Sequence, residues 1–242
     1  MLVLSPFKRP ATLALSFAAV ALAGCNDPSG PDPDPIRTVV ITGAPAGPVV
    51  IGQTVQLTAT AYDSNEVEIP ATFDWQTSNA EVAEVSSTGL VTVVAPGDFG
   101  ILAVTERNGG GILMDARERG TITRAGGLLT MLNGLLTLTI PAGGVSGTTE
   151  LLARPFYDPV NMVVTPFPTV LIGPEGIGLE GSLRLRYVPS RFAPWERLDS
   201  LRLYRVQDSA WVLVQSSTVD TAAKTVSGAV SGTGVYSIRL KR

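Results

Sequence analysis

The 242 residues include no histidine and one cysteine, and 18 basic against 21 acidic side chains leave a net charge of -3. Without imidazole the chain lacks the group that most often moves protons near neutral pH, the commonest transition-metal ligand and every Ser-His or Cys-His nucleophile pair. One cysteine closes no internal disulfide, and the mild acidity argues against a general nucleic-acid binder.

In chain order, Lys8 and Arg9 precede an apolar run from Ala11 to Ala23, which ends in Leu22-Ala23-Gly24-Cys25. Positive charge, a short apolar core and small residues before a cut follow the order of a secretion signal. Thirteen residues are too few to cross a hydrocarbon core of about 30 Å as a helix. The segment resembles a bacterial lipoprotein signal peptide with its lipobox, so residues 1–24 read as the leader and Cys25 as the lipidation site. The resemblance implies a diacylglyceryl group on the Cys25 sulfur and a further acyl chain on its amine. A single chain holds only marginally, at about 0.8 kcal/mol per buried CH₂, whereas two or three make a lasting anchor. The first expected partner is therefore a membrane, reached through acyl chains, and the expected location is the bacterial cell envelope. Asn26 rather than Asp follows Cys25. The family's commonest inner-membrane retention signal is thus missing, which favours the outer membrane.

Residues 25–36 contain the alternating Asp-Pro run NDPSGPDPDP. Proline extends this backbone and like charges repel along it, so it reads as a spacer. Asp27, Asp32 and Asp34 are hard oxygen donors, but the prolines between them oppose wrapping around a calcium ion. No metal site and no cofactor are expected anywhere in the chain.

From Arg37 the pattern changes to short strands. Val55, Leu57, Ala59 and Ala61 alternate with Gln56, Thr58, Thr60 and Tyr62, the period-two signature of a strand with one buried face. Phe73 and Trp75 repeat it, and runs at Val82–Val85, Leu90–Val94, Ile101–Thr105 and Ile112–Arg117 follow between turn-forming segments. Gly109-Gly110-Gly111 lies between two of these runs and is expected to be a hairpin turn, not a phosphate-binding loop. Glu66 and Glu68, beside Asp63, are the nearest thing to an acid–base pair, and they read as a solvated turn. The segments IGQTVQLTATAYDSN and FDWQTSNAEVAEVSSTGLVTVVAPGDFGILAVTE resemble bacterial Ig-like domains of group 2. Gly52, Leu57, Trp75, Ser78, Asn79, Val82, Ala83, Val85, Gly89, Leu90, Val91 and Gly97 carry the likeness. It spans residues 37–123 and implies a β-sandwich with Trp75 as a core plug.

A second unit, residues 125–242, begins with Gly126-Gly127 and a hairpin at Asn133-Gly134. Leu136, Leu138 and Ile140 then share one face. Later strands are read at Leu183-Leu185-Tyr187, Leu201-Leu203, Trp211-Leu213 and Tyr236-Ile238-Leu240. The LTIPAG segment, Gly173-Pro174, the Leu201–Tyr204 strand and Trp211 together resemble a ZU5-type β domain. Some of that family cleave themselves at a His-Phe-Ser sequence before the final strand. Here the place reads Gly232-Thr233-Gly234, so no self-processing is expected.

Charge is uneven: residues 37–124 carry 5 basic and 10 acidic side chains, residues 125–242 carry 11 and 8. Arg184, Arg186 and Arg202 are candidates for an anion-binding face if their strands are neighbours. Arg191, Arg197 and Arg205 flank them, Glu196 and Asp199 interrupt the set, and the alternative is an ordinary solvated strand face.

The sequence thus describes an all-β chain: an Ig-like β-sandwich followed by a ZU5-like β domain on a lipid tether. The functional reading is a non-catalytic binding or architectural display module, with an envelope polymer or protein as partner and no nucleic acid. Two alternatives are a surface adhesin for a glycan or another cell, which needs an exposed aromatic or apolar patch, and a hydrolase or enzyme accessory, which needs polar groups converging in a concavity. Cys25→Ser is expected to abolish incorporation of a metabolic lipid label and to release or leave unprocessed the precursor; continued labelling of that variant would remove the lipoprotein assignment.

Overall fold

The computed structural model describes residues 36–156 and 167–241; the leader, Cys25 and the spacer as far as Pro35 lie outside the described residues. The regular elements are β-strands, with two 3-10 turns at Pro189–Arg191 and Leu198–Ser200. Two compact units are formed. The first takes residues 36–47, 53–92 and 98–114; the second takes 48–52, 93–97 and the described residues from Asp115 onward.

The first unit contains β1 (Thr38–Thr42), while β2 (Val49–Val50) belongs to the second. There follow β3 (Thr54–Gln56), β4 (Thr58–Tyr62), β5 (Glu68–Ile69), β6 (Asp74–Thr77), β7 (Ala83–Val85), β8 (Leu90–Val93), β9 (Gly97–Val104) and the start of β10 (Gly109–Ile122). β4 lies between β1 and β5, β8 lies between β3 and β7, and β6 pairs antiparallel with β9. The alternation read from the sequence supplies the core: Val39, Val55, Leu57, Ala61, Val91, Phe99 and Ile101 are buried.

Two details depart from expectation. Gly109-Gly110-Gly111 is not a turn but opens β10, and the chain reverses one step earlier, where Thr105 N–H donates to Asn108 O at 2.7 Å. The reason for glycine is close backbone passage: a Cβ on Gly110 would run into the carbonyl of Val39. Trp75, opposite Ala103 on β9, is half-buried and not sealed inside the core. Its indole lies over Gly89, where a Cβ would stand 2.9 Å from the ring and 2.6 Å from Leu57 O.

The second unit is built from two sheets. After the later part of β10 come β11 (Gly127–Met131), β12 (Leu136–Ile140), β13 (Thr149–Pro155), β14 (Thr169–Gly173), β15 (Gly181–Arg186), β16 (Leu201–Gln207), β17 (Ala210–Leu213), β18 (Thr218–Asp220), β19 (Thr225–Val230) and β20 (Gly234–Leu240). One sheet has the order β17-β16-β20-β14-β13-β10, with β2 parallel to β10; the other has the order β11-β12-β15-β19-β18. Leu136, Leu138, Ile140, Leu183 and Leu185 from the second of these pack in one core with Leu151, Val170, Ile172, Leu201, Leu203, Tyr236 and Ile238 from the first. The Asn133-Gly134 hairpin is present with a four-residue connection, since Met131 pairs with Leu136. Leu132, Asn133 and Gly134 all take positive φ (56°, 52° and 77°). Buried Leu132 keeps its unusual backbone because its side chain is held in the core and its N–H donates to the Glu118 carboxylate.

Gly89 combines a left-handed φ of 80° with the indole directly above it. Gly89→Ala is therefore expected to destabilise the first unit by about 2 to 4 kcal/mol, from left-handed strain and overpacking together. Chemical denaturation of the full chain checks this; an unchanged unfolding midpoint would mean that the Trp75 ring moves aside at no cost.

Candidate functional site

The strands bearing the three candidate arginines are not neighbours. Arg184 and Arg186 extend outward from β15, whose partners are β12 and β19, while Leu183 and Leu185 turn into the core. Arg202 lies on β16 in the other sheet, opposite Arg239 of β20. The structure keeps Arg184 and Arg186 together and places Arg202 apart, because the chain crosses from one sheet to the other between β15 and β16. Part of their donor capacity is already used. Arg186 Nη2 donates to Asn133 O at 3.2 Å, and Arg202 Nη1 donates to Asp199 O and Leu201 O at 2.9 and 2.7 Å.

The crossing segment, Val188 to Ser200, presents the feature that periodicity did not reveal. Trp195 is 83% exposed, and it is the one exposed aromatic among the described residues. The loop beneath it is firmly tied. Phe192 is buried and meets Phe167 and Tyr187 edge to face, with centroids 5.5 and 5.8 Å apart, while Leu198 packs on the core. The Glu196 carboxylate accepts the Ala193 N–H at 2.6 Å, and Glu196 N–H returns a bond to Ala193 O at 2.9 Å. Arg197 and Asp199 form an exposed fork-shaped pair at 2.8 Å. That hydrogen bond holds the Asp199 carboxyl below and the Arg197 guanidinium above their ordinary ranges. The other two tryptophans are engaged: Trp75 covers Gly89, and the Arg239 guanidinium sits 4.7 Å from the Trp211 ring.

At the far end of β16 the two sheets of the second unit part around a cavity of about 170 Å³. Arg205, Gln207 and Ser231 line it with Val212, Val214 and Tyr236. The Arg205 Nη2 donates to Thr233 O at 2.9 Å, and its guanidinium lies 5.7 Å from the Tyr236 ring. Burial pushes the Tyr236 phenol above its ordinary range, and the Arg205 charge opposes that shift. Gly232-Thr233-Gly234, where the sequence suggested no self-processing, is a structural tie: Thr233 Oγ1 donates to Pro174 O at 2.7 Å and Tyr236 Oη donates to Gly232 O at 2.5 Å.

A further charge cluster lies on β10 and β13. Asp115 accepts from Arg117 Nε and Nη2 at 3.0 and 2.6 Å, and Arg154 Nε approaches its other oxygen to 2.9 Å, an ion-pair contact not aligned as a hydrogen bond. Arg154 is buried, and its guanidinium also lies 4.6 Å from the Phe156 ring. In the first unit Asp63 and Glu66 lie in a turn and Glu68 opens β5. The Asp63 carboxylate accepts the Asn65 and Val67 N–H groups, which hold its pKa below the usual value, and both glutamates face solvent.

Residues 40–112 match the family model described as bacterial Ig-like domain (group 2). No curated protein matches the chain. Among solved structures, the chain is similar to the S-layer protein rSbsC(31-844), at 11% identity over 86% of this chain and 40% of that one, with a TM-score of 0.29. The chain thus spans well under half of that structure's length.

Asp115 neutralises two guanidinium groups at once, one of them buried. Asp115→Asn is expected to cost about 2 to 3 kcal/mol in the second unit, somewhat below the range for a fully buried pair because Asp115 keeps contact with water. Urea unfolding measures it; a loss below about 0.5 kcal/mol, the scale of an exposed pair, would show that water compensates both arginines.

Proposed function

We propose that the chain is a non-catalytic module of the bacterial envelope, held by lipid at Cys25, whose second unit engages another macromolecule through the Trp195 loop. The match of residues 40–112 to a bacterial Ig-like domain supports a binding or display role. The second unit is read as the ZU5-like β domain suggested by its LTIPAG segment. The observation that carries the reading is Trp195 itself, 83% exposed on a loop fixed from below. An indole of this size leaves on the order of 4 kcal/mol of transfer free energy unused until something covers it. Because Phe192, Leu198 and the Glu196–Ala193 bonds already order the loop, little further entropy is lost when a partner docks. Tryptophan is among the residues enriched at the energetic hot spots of interfaces.

The same side chain favours one second reading, an adhesin in which the indole face stacks on a sugar ring. Crosslinking from intact envelopes, with a photoreactive residue near the loop, separates the two. A protein partner gives a protease-sensitive adduct and a glycan gives a protease-resistant one. In both cases Trp195→Ala is expected to reduce capture about tenfold, the scale of losing one aromatic anchor, while Trp195→Tyr retains part of it. Equal capture by native and Trp195→Ala chains would overturn the reading.

A further inference from the structure

We propose that the cavity between the parted sheets of the second unit is a binding site for a singly charged carboxylate on a short apolar stem, with Arg205 as its counter-charge. Three observations lead there. Arg205 is half-buried, yet among the described residues no carboxylate pairs with it, in contrast to Arg117 and Arg154, which share Asp115. Removing a guanidinium from water is costly unless an acid and hydrogen bonds compensate it. Its donor set is also only partly used. Nη2 reaches Thr233 O, and Nε, lying against the bare backbone of Gly234, is buried with no acceptor.

The third observation is the composition of the walls. One cation faces a cavity otherwise lined by neutral groups: the amide of Gln207, the hydroxyl of Ser231 and the side chains of Val212 and Val214. A planar guanidinium fits the two oxygens of a carboxylate, and a single positive charge balances one negative charge and not the two of a phosphate. Val212 and Val214 offer the apolar part of a mostly polar lining to a short alkyl stem. A volume of about 170 Å³ admits a carboxylate on a short stem. Such a group comes either from a small free acid or from the terminus or side chain of a partner polymer. Arg205 lies five residues beyond Ser200, the end of the Trp195 loop, and the site shares no residue with that loop, so each proposal can fail without the other.

Titration calorimetry of the full chain tests the assignment with pentanoate, pentanamide and a short valine-ended peptide as free acid and as amide. At least one acid is expected to bind saturably and about tenfold more tightly than its amide. Arg205→Gln is expected to lose that binding about tenfold or more, with Arg205→Lys intermediate because it keeps charge but not the planar fork. If Arg205→Gln loses its thermal transition, Val212→Phe, which enlarges the residue paired with Arg205 across β16 and β17 and leaves the guanidinium in place, is expected to give the same loss. Binding of pentanoate identifies a free acid as sufficient; binding of the peptide acid alone identifies a chain carboxylate, and both support the site. The proposal is overturned if neither acid saturates by about 10 mM, if the amides bind as well as the acids, or if Arg205→Gln or Val212→Phe folds and binds as the native chain does.

Discussion

Leucines at alternate positions of β15 and β16 are drawn into one core from opposite sheets, and that burial decides where every candidate group of the second unit ends up. Leu183, Leu185, Leu201 and Leu203 have no exposed surface. Truncating such a side chain typically costs about 2 to 5 kcal/mol, comparable to much of a small domain's stability. With the leucines fixed inward, Arg184 and Arg186 must leave on one side, and Arg202 cannot join them. The chain must then travel from one sheet to the other, and the loop that makes this crossing carries Trp195.

How far the molecule was legible follows from what side-chain alternation encodes. Period two assigns faces, so the strands through Val55, Leu138, Leu183, Leu201 and Tyr236 were readable from the sequence, and Asn133-Gly134 marked its hairpin through glycine's freedom at positive φ. Alternation does not say which sheet a strand joins. That depends on long-range partners: Ser227 for Arg184 and Arg239 for Arg202, more than thirty positions away. The glycine run at 109–111 looked like turn chemistry because its actual cause, the Val39 carbonyl 71 residues earlier passing over Gly110, leaves no local trace.

The sites themselves were less visible, for a similar reason. Trp195 follows Pro194 in a stretch without period, and only tertiary packing shows that Phe192 turns inward while Trp195 does not. Arg205 was visible as one more basic residue on a strand. That no carboxylate among the described residues pairs with it is a property of the space between sheets, and its neighbours Ser231 and Gly234 arrive from a different strand connection. The Asp115–Arg117 pair, two residues apart on β10, was within reach of sequence reading, but Arg154 joins it through the pairing of β10 with β13.

The crossing loop has an evolutionary implication. Its feet, Phe192 and Leu198, belong to the core, whereas its tip at Pro194-Trp195 supports nothing else in the fold. Surface connections tolerate change when the elements they join are independently secured. Selection can therefore rewrite the tip residue by residue without disturbing the sandwich, so that the surface chemistry of this loop is free to drift while the architecture stays constant.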